Sequence, residues 1–437
     1  MRIRIIGAGF TGLTTAYFAN QMGFDVEVLE AKPRVGGLIS TKETPYGLVE
    51  TAANGLLNSE LVEQLFKDLE LQLLPMSKSS RARYIFTKGK TSRWPLSPFE
   101  SMGFFARLAK VSATFKKSWK PRRTETIHHW GLRTIGLAAT EKLLIPALQG
   151  IYAGQPQELS ATLILGRFFN PQIKSYRGKN RGTVSAAAGM GQLVESLEHY
   201  LIQRGVRIRK NQTIDSETLT LRNSGVTTVI ATSVDAAADL LSHTSVGPLL
   251  KQVDLLPIVT VTTWFDLRAK YKKGFGCLFP RQQNVRALGV LFNDQIFDGR
   301  SQYYSETWIY GGATDRSFIE FSEAEILRQV KQDHGLLHGE QVEPLDSVIT
   351  RWPKAIPHYS VQLENLLRNS FNYGFGIQPV VGNIYLNGNY LGSLGLSKIL
   401  ERSKELVAHI ANDRVRKQPL FPDQMHSPTP AAFVDLM

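Results

Sequence analysis

The feature that most constrains the fold of this chain is a glycine-rich turn near its N-terminus. Residues 7–12 read Gly-Ala-Gly-Phe-Thr-Gly, which matches the pattern GxGxxG. The β-branched run Ile3–Ile6 before it predicts a buried strand, Gly12–Met22 predicts a helix, and Val26–Glu30 predicts a second strand. The sequence therefore predicts a βαβ unit that opens an α/β fold.

The spacing within this unit is typical of a dinucleotide-binding site. Gly7 permits the tight turn, Gly9 lets a pyrophosphate approach the backbone, and Gly12 lets helix and strand pack closely. The N–H groups at the start of the helix attract phosphate. Glu30 ends the second strand, where a carboxylate accepts hydrogen bonds from ribose hydroxyls. The alternative is a glycine-rich turn that binds nothing. Such a turn would not require a strand before it, a helix after it and an acid at the end of the next strand.

Three further segments favour FAD over NAD. Glu30–Gly37 looks like the second glycine signature of large flavoproteins, in which a Gly-Gly turn and an arginine lie beside the cofactor. Val229–Thr232 resembles the strand end that returns to the adenosine half of FAD. Gly388–Tyr390 resembles the C-terminal motif that brings helix N–H groups to the flavin ring. Each of these segments alone could be an ordinary core strand or turn. Because all three follow the glycine-rich turn in the order found in flavoproteins, together they predict FAD.

The rest of the chain predicts further helices and a change of pattern after Leu256. Before it, the predicted helices are Ser59–Leu69, Phe99–Trp119, Glu125–Leu148 and Gly191–Gln203. The predicted strands are Leu48–Ala52, Tyr84–Thr87, Val206–Arg209 and Thr227–Ala231. After it, spaced strands predict an antiparallel sheet, namely Ile258–Phe265, Phe275–Phe279, Ala287–Phe292, Thr307–Tyr310 and Val348–Trp352. The buried strand Ile384–Asn387 then leads into a last helix that extends toward Ile410.

The net charge of +13 is concentrated in one segment. Residues 76–133 hold 14 Lys and Arg against two acids, Glu100 and Glu125. Large apolar side chains accompany these cations: Trp94, Phe99, Met102, Phe104, Phe105, Phe115 and Trp119. This mixture predicts a helical region that lies on an anionic membrane surface. A solvated basic face is an alternative; a nucleic-acid patch is another, but no recognisable nucleic-acid module accompanies it, so no nucleic-acid partner is expected.

Signals for targeting and for metals are few. No run reaches the ~18 apolar residues of a spanning helix, and the glycine spacing explains Met1–Ala19 better than a signal peptide does. The single cysteine, Cys277, excludes an internal disulfide and fits a reducing compartment. We therefore expect a cytoplasmic protein, peripheral on the inner face of the cell membrane. His128 and His129 are adjacent and point apart on a helix, so no metal site is predicted.

Three longer segments resemble the protoporphyrinogen oxidase family, within the amine oxidase and phytoene desaturase superfamily. They are Leu143–Gly154, Gly274–Pro280 and Arg351–Pro357, and the first contains the discriminating run IPxxxGxYAG. The resemblance extends from Met1 to about Ile410. It implies oxidation of a porphyrinogen, either protoporphyrinogen IX or coproporphyrinogen III, to the porphyrin in heme biosynthesis. Hydride would pass to flavin N5, with oxygen as the usual electron acceptor.

The resemblance also implies the fold class and the domains. An α/β protein is expected, with a Rossmann-like FAD-binding domain of the GR2 flavoprotein type, an antiparallel-sheet substrate domain and a helical membrane-facing subdomain. The FAD-binding domain would be discontinuous, comprising 1–75, 185–256 and 380–415. The substrate domain would comprise 76–95 and 257–379, the basic helical subdomain 96–184, and a loose tail 418–437. A homodimer is the expected assembly.

Site residues follow from the same resemblance, position by position. The implied FAD contacts are Gly7, Gly9, Phe10, Thr11, Gly12, Glu30, Ala31, Arg34, Gly36, Gly37, Leu38, Ile214, Ala231, Trp352, Gly388, Asn389, Leu394 and Leu396. Arg83 matches the arginine that pairs with a substrate propionate, as a bidentate donor would. Leu278 and Leu291 match positions that pack on the macrocycle, although leucines in strands are often core residues. Ile309 stands where the family often has a stacking aromatic; no catalytic side chain is assigned.

The chain departs from the family at two places. Glu50–Ala53 reads ETAA where a Gly-Pro-like pair is usual, and Leu396–Ile399 reads LSKI where the flavin motif commonly ends in Asp-Cys. Two rival functions stay open. One is another flavin-dependent desaturase or amine oxidase that acts on a polyene or an amine; amine oxidases usually build an aromatic cage at the flavin. The other is a non-catalytic FAD-binding scaffold.

Overall fold

The computed structural model describes residues 2–113, 119–169, 178, 180–221, 226–266, 271, 273–370, 377–392 and 394–417. Within these residues the strands are β1 (Arg2–Ile6), β2 (Asp25–Leu29), β3 (Thr41–Thr44), β4 (Gly47–Glu50), β5 (Leu56–Leu57), β6 (Leu73–Pro75), β7 (Arg83–Thr87), β8 (Lys90–Ser92), β9 (Thr183–Ala186), β10 (Arg207–Arg209), β11 (Thr227–Ile230), β12 (Leu255–Phe265), β13 (Gly276–Leu278), β14 (Gly289–Phe292), β15 (Tyr304–Gly311), β16 (Asp346–Pro357) and β17 (Ile384–Leu386).

The helices are α1 (Phe10–Gln21), α2 (Glu60–Asp68), α3 (Pro98–Ala113), α4 (Ile127–Thr134), α5 (Leu137–Ala139), α6 (Ile145–Tyr152), α7 (Ala161–Leu165), α8 (Met190–Gln203), α9 (Ser216–Leu221), α10 (Val234–Leu240), α11 (Val246–Leu250), α12 (Asn293–Ile296), α13 (Glu323–His338), α14 (Val361–Ser370) and α15 (Leu396–Lys417). The tail 418–437 and residues 114–118 of the predicted helix Phe99–Trp119 lie outside the described residues.

A five-stranded parallel sheet carries the N-terminal motif. Its strand order is β10-β2-β1-β11-β17, and each neighbouring pair is parallel. On one face the sheet packs against α1, α8 and α15, and on the other it packs against α10. Because both faces are covered, Ile3–Ile6 of β1 and Thr227–Ile230 of β11 are buried at every position, polar side chains included, as expected for strands inside a parallel sheet. The predicted βαβ unit is confirmed in β1, α1 and β2.

A seven-stranded sheet follows, in the order β16-β12-β15-β14-β13-β7-β8. The predicted antiparallel arrangement is confirmed except that β7 and β13 run parallel. Alternate side chains of β15 lie on opposite faces, as in any strand. Trp308 and Tyr310 lie in the aromatic core under α13, which we call the back face. Ile309 lies on the other side, the front face, against Ala153 at the end of α6.

The prediction of one helix over Glu125–Leu148 is wrong. The structure has α4, α5, a π-helical turn at Thr140–Leu144, and then α6. Gly136, with φ of +85°, follows the end of α4 and reverses the chain. A Cβ on Gly131 would come within 2.5 Å of the Thr140 hydroxyl, so the two segments pack too closely to be one straight helix.

Two small sheets join the larger ones. β3 and β4 form a hairpin, and β9 lies between β5 and β6. Since β9 follows the helical region and precedes α8, this sheet ties both ends of residues 76–182 to the N-terminal part of the chain. The domain boundaries given above stay a prediction. Among the described residues, no helix has the length and apolarity to cross a membrane.

Candidate active site

The turn between β1 and α1 forms a cradle whose base, at Gly7 and Gly12, has room only for glycine. Gly7 has a φ of +98°, and a Cβ there would lie 2.9 Å from the Ala231 carbonyl oxygen. A Cβ on Gly12 would lie 1.8 Å from the Gly7 carbonyl oxygen. A Cβ on Gly9, in contrast, would have only the Cα of Gly37 within 4 Å, at a distance of 3.9 Å. The turn is therefore closed at its base and open at Gly9, where a pyrophosphate would approach.

The N-terminus of α1 has the electrostatics of a phosphate site. Its N-cap is Gly9, which offers no side-chain cap, and its first turn contains no acid. The first N–H groups of a helix have no partner within the helix, and its dipole attracts anions there. Phe10 is buried below the turn and Thr11 is half-buried beside it.

Glu30 lies directly after β2 and orders two segments. Its Oε2 accepts a hydrogen bond from the backbone N–H of Ala8 at 2.6 Å, and its Oε1 accepts one from Lys32 at 2.9 Å. The N–H of Gln212 bonds to the Glu30 carbonyl at 2.8 Å, which brings the loop that contains Ile214 to the same edge. The structure thus places the carboxylate beside the phosphate cradle, where a ribose would lie.

The Gly36-Gly37 turn lies against this cradle. The N–H of Gly36 bonds to the Ala8 carbonyl at 2.8 Å, and both glycines have positive φ. The guanidinium of Arg34 donates to the carbonyls of Val35, Gly37 and Ile39 and so wraps the turn. The structure therefore gives this arginine a role in shaping the turn, with Ala31 and Leu38 exposed on either side of it.

The two distant segments predicted for FAD reach the same edge of the sheet. Ala231 directly follows β11, and its N–H bonds to the carbonyl of Ile6. After β17, the buried Asn387 donates to the hydroxyls of Thr15 and Ser403, at 2.9 and 3.0 Å, which ties β17 to α1 and α15. Gly388 and Asn389 follow directly. The ends of β1, β2, β11 and β17 therefore lie at one edge of the sheet, and the bonds of Asn387 hold α1 and α15 beside it, as a dinucleotide site requires.

The remaining predicted contacts lie at the junction of the two large sheets. Trp352 on β16 donates from its indole N–H to the Thr51 carbonyl at 2.7 Å. Leu394 and Leu396 are half-buried before and at the start of α15. At the first departure, Glu50 is buried and accepts from Arg300 at 2.7 Å. Burial raises the pKa of the Glu50 carboxyl, although Met190 N–H and Arg300 oppose the rise.

The second departure places a lysine in the first turn of α15. Lys398 is half-buried, and burial together with the positive charge of Arg167 lowers its pKa to about 8. Ser397 beside it donates to the carbonyl of Leu57. The hydrogen bond from Asn387 to Ser403 fixes α15 against the end of β17, and it involves none of the residues at 396–399.

The four predicted substrate residues share the front face of the seven-stranded sheet. Register places Arg83 opposite Gly276, Gly276 opposite Leu291, and Leu291 opposite Thr307. The neighbouring row contains Leu278, Gly289 and Ile309. Residues paired across strands lie on one face, so an exposed cation stands at one end of a half-buried apolar surface. Trp308 and Tyr310, the neighbours of Ile309 on β15, are wholly buried on the back face, as alternation along a strand requires.

A row of hydrogen-bonded polar side chains, which the sequence did not predict, reaches this front face. The hydroxyls of Thr262 and Thr307 are 2.8 Å apart, and Asn293 donates to Thr307 at 2.7 Å. Asn54 lies beside Asn293, with an amide-to-carbonyl distance of 3.5 Å. These residues come from β12, β15, α12 and the segment after β4, so no local pattern could reveal them.

The site fits a flavin dinucleotide, because the open glycine cradle, the uncapped helix and the placed carboxylate match its pyrophosphate and ribose. Together, fold and site define an FAD-dependent oxidoreductase. The chain belongs to the family described as flavin-containing amine oxidoreductases, whose model matches residues 10–396.

Relatives with assigned names share nearly the whole chain. A chloroplastic protoporphyrinogen oxidase of Oryza sativa subsp. japonica is 26% identical, over 93% of this chain and 88% of the relative. A coproporphyrinogen III oxidase of Bacillus subtilis (strain 168) is 23% identical, over 92% and 96%. The solved cyclohexylamine oxidase of Brevibacterium oxydans IH-35A has the same fold, with a TM-score of 0.68 at 15% identity over 95% and 99% of the two chains.

Proposed function

We propose that this chain is an oxidase that converts a porphyrinogen, protoporphyrinogen IX or coproporphyrinogen III, to the porphyrin in heme biosynthesis. The observation that carries the proposal is the front face: a cation at the end of a broad, mostly apolar surface beside the FAD site. A tetrapyrrole has the matching chemistry, with carboxylates at its edge and a wide apolar body. The names of the two relatives support the same substrate class. Bound FAD supplies the hydride acceptor, flavin N5.

Arg83 is the proposed carboxylate anchor. It is exposed at the start of β7, and its Cζ lies 4.6 Å from the centre of the Phe275 ring. Stacking on a ring orients the guanidinium and leaves its edge free to donate in parallel to a carboxylate. No acid within the described residues forms an ion pair with it. Arg83 thus presents a positioned donor pair at the rim of the front face.

Glycines flatten the centre of the face. Gly276 lies between Arg83 and Leu291, and Gly289 lies between Leu278 and Ile309, so neither position adds a side chain to the face; the side chain of Leu278 lies against Gly289. Gly276 cannot be replaced readily, because its φ is +156° and a Cβ would lie 2.1 Å from the Val290 carbonyl oxygen. The macrocycle would therefore pack on aliphatic groups, with Ile309 in place of a stacking aromatic ring.

The finer assignments are part of the same proposal. The five-stranded sheet is assigned to FAD and the seven-stranded sheet to substrate. The helical region between β8 and β9 is assigned to the inner, anionic surface of the cell membrane, because α3 exposes Phe99, Met102 and Phe105 beside Arg107 and Lys110. Oxygen as electron acceptor and a homodimer complete the proposal.

An aerobic fluorescence assay of the FAD-loaded protein tests the function. Coproporphyrinogen III and protoporphyrinogen IX are supplied separately, and we expect porphyrin to form well above the autoxidation blank. Arg83→Ala should raise KM roughly 10- to 100-fold with little change in kcat, because a charge-assisted hydrogen bond is worth about 1.5–3 kcal/mol. Arg83→Lys should recover part of the loss.

Lys90→Ala is the matched control, since Lys90 is an exposed cation on the next strand. It should leave both kinetic constants unchanged. If neither porphyrinogen is oxidised while FAD stays bound, the proposal is wrong. Reduction of the flavin by amines or polyenes would then favour the desaturase or amine oxidase alternative, and a flavin that no such donor reduces would favour the scaffold.

A further inference from the structure

A cluster of three ligand-type side chains lies on the back face of the seven-stranded sheet. Glu306 projects from β15, and His334 and His338 project from α13. His334 Nδ1 lies 3.0 Å from Glu306 Oε2, and His338 Nε2 lies 2.7 Å from Oε1. Glu306 and His334 are wholly buried. In the part of the chain that the structure describes, no other three His, Cys, Asp or Glu side chains converge in this way.

The two histidines are placed by the geometry of α13. Residues four apart lie on one face of a helix, so both rings point at the same strand. The helix begins with a capping box between Ser322 and Glu325 and ends at Gly339, whose φ is +85°. These two ends fix the helix along the sheet and hold the rings against Glu306.

A second layer of donors orients the carboxylate. The indole N–H of Trp308 donates to Glu306 Oε2, and the hydroxyl of Tyr304 donates to Oε1, both at 3.0 Å. Phe265 stacks on His334 with ring centres 4.2 Å apart, and Tyr271 packs edge-on to His338 at 4.6 Å. Metal-binding carboxylates are commonly held by outer hydrogen bonds inside an apolar shell of this kind.

We propose that Glu306, His334 and His338 form a structural site for a divalent transition-metal ion, with Zn²⁺ as the ion that the ligands fit best. Two imidazoles and a carboxylate suit Zn²⁺, and a carboxylate that uses both oxygens completes four ligand atoms. With bonds of about 2.0–2.1 Å, ligand atoms from different side chains lie about 3.3 Å apart in a near-tetrahedral site, whereas the two oxygens of one carboxylate stay closer together. The observed separations of 2.7 and 3.0 Å need to open by only a few tenths of an ångström.

The site is structural because of where it lies. Glu306 is on the face of β15 opposite to Thr307 and Ile309, so the sheet separates it from the proposed substrate surface. A catalytic metal site needs an open coordination position for a reacting molecule, and the surrounding aromatic side chains leave none here. His338, which is slightly exposed, marks the side from which an ion enters. The ion would join α13 to β15.

Metal analysis of the full-length protein, purified without a histidine tag, tests the proposal. After dialysis we expect about one zinc ion per chain by mass spectrometry. Removal by a chelator should lower Tm by about 5 °C or more, and added Zn²⁺ should restore it. Co²⁺ in its place should show the intense visible absorption of a tetrahedral ion. His338→Gln and Glu306→Gln should reduce the metal content below about 0.1 per chain.

His128→Gln is the matched control. His128 forms a half-buried pair with Glu141 at 3.2 Å, and no third ligand-type side chain among the described residues converges on it, so this variant should keep its zinc. The proposal is overturned if the unmodified protein contains no metal and neither chelator nor Zn²⁺ changes its Tm. The carboxylate would then simply accept four hydrogen bonds. This test uses only the metal content and the Tm of the unmodified protein. Its result therefore does not depend on whether a variant folds or on whether the protein oxidises a porphyrinogen.

Discussion

Gly9 and Gly12 are three residues apart and are constrained in different ways. A methyl group on Gly12 would overlap the Gly7 carbonyl, whereas one on Gly9 would meet only the Cα of Gly37. We therefore expect Gly12→Ala to lower the stability of the FAD-free protein by about 3 kcal/mol or more. Gly9→Ala should leave the FAD-free Tm unchanged and weaken FAD binding about tenfold or more, because the methyl group occupies the path of the pyrophosphate.

Thermal unfolding without FAD and titration of FAD by flavin fluorescence measure the two effects. Gly89→Ala is a useful control for the introduction of a side chain, because a Cβ there meets nothing within 4 Å; its φ of +72° adds backbone strain. It should cost about 1 kcal/mol and leave FAD affinity intact. Equal loss of FAD affinity in the Gly12 and Gly9 variants, with no difference in FAD-free stability, would contradict this interpretation of the cradle.

At the scale of elements, local pattern predicted the parts whose neighbours in space are also neighbours in sequence. β1, α1 and β2 form one such unit and were predictable within a residue or two. The segment Glu125–Leu148 was not, because its helix-forming residues conceal a close approach of Gly131 to Thr140 that exists only after folding. Propensity favours a helix there, and packing decides where it breaks.

Helix α3 supports a prediction about lipid. Phe99 is 82% exposed and Phe105 is 55% exposed, although each is large and apolar. If α3 lies at a membrane surface, Phe99→Ser/Phe105→Ser should reduce binding to vesicles that contain phosphatidylglycerol about tenfold or more, since burial of one such side chain is worth about 1.5–3 kcal/mol. Co-sedimentation at low salt measures the change.

Ile202→Ser controls for the loss of an exposed apolar side chain, because Ile202 is 52% exposed on α8, far along the chain from α3. It should bind vesicles normally. Reversing the charges of Lys120, Arg122 and Arg123 should weaken binding at low salt more than at high salt. Binding that is unchanged in both the serine and the charge-reversal variants would leave α3 as a solvated face.

At the scale of the whole molecule, the contacts that position the site join residues far apart in sequence. Glu306 meets His334 and His338 only because α13 folds back on β15, and the spacing of the two histidines was the one visible hint. Glu50 and Arg300 are 250 positions apart, so no pattern links them. The sequence could predict the cofactor cradle, because most of its residues are close together in the sequence. It could not predict the polar groups, such as Glu50 and Arg300, that join β4 to β9.

The Glu50–Arg300 pair is the contact whose loss should affect the whole molecule. Arg300 donates to Glu50, to the Ser185 hydroxyl at 2.6 Å and to the Ala186 carbonyl at 3.0 Å, so it ties β4 to β9. Arg300→Met leaves the Glu50 charge buried and unpaired, which should cost about 3–5 kcal/mol. Glu50→Gln in addition should recover part of that loss, as an interaction within one pair requires.

The pH dependence of the single variant separates a buried charge from a mere packing defect. Burial already raises the pKa of Glu50, and Arg300 opposes that rise, so Arg300→Met should raise it further. A carboxyl whose folded pKa exceeds its unfolded pKa binds more protons when folded, so stability falls as pH rises between the two values. The loss in free energy of unfolding of Arg300→Met against the unmodified protein should therefore be smaller at pH 5.5 than at pH 8, by roughly 1 kcal/mol or more. A deficit that is the same at both pH values would mean that the shape of the arginine, and not its charge, holds the two sheets together.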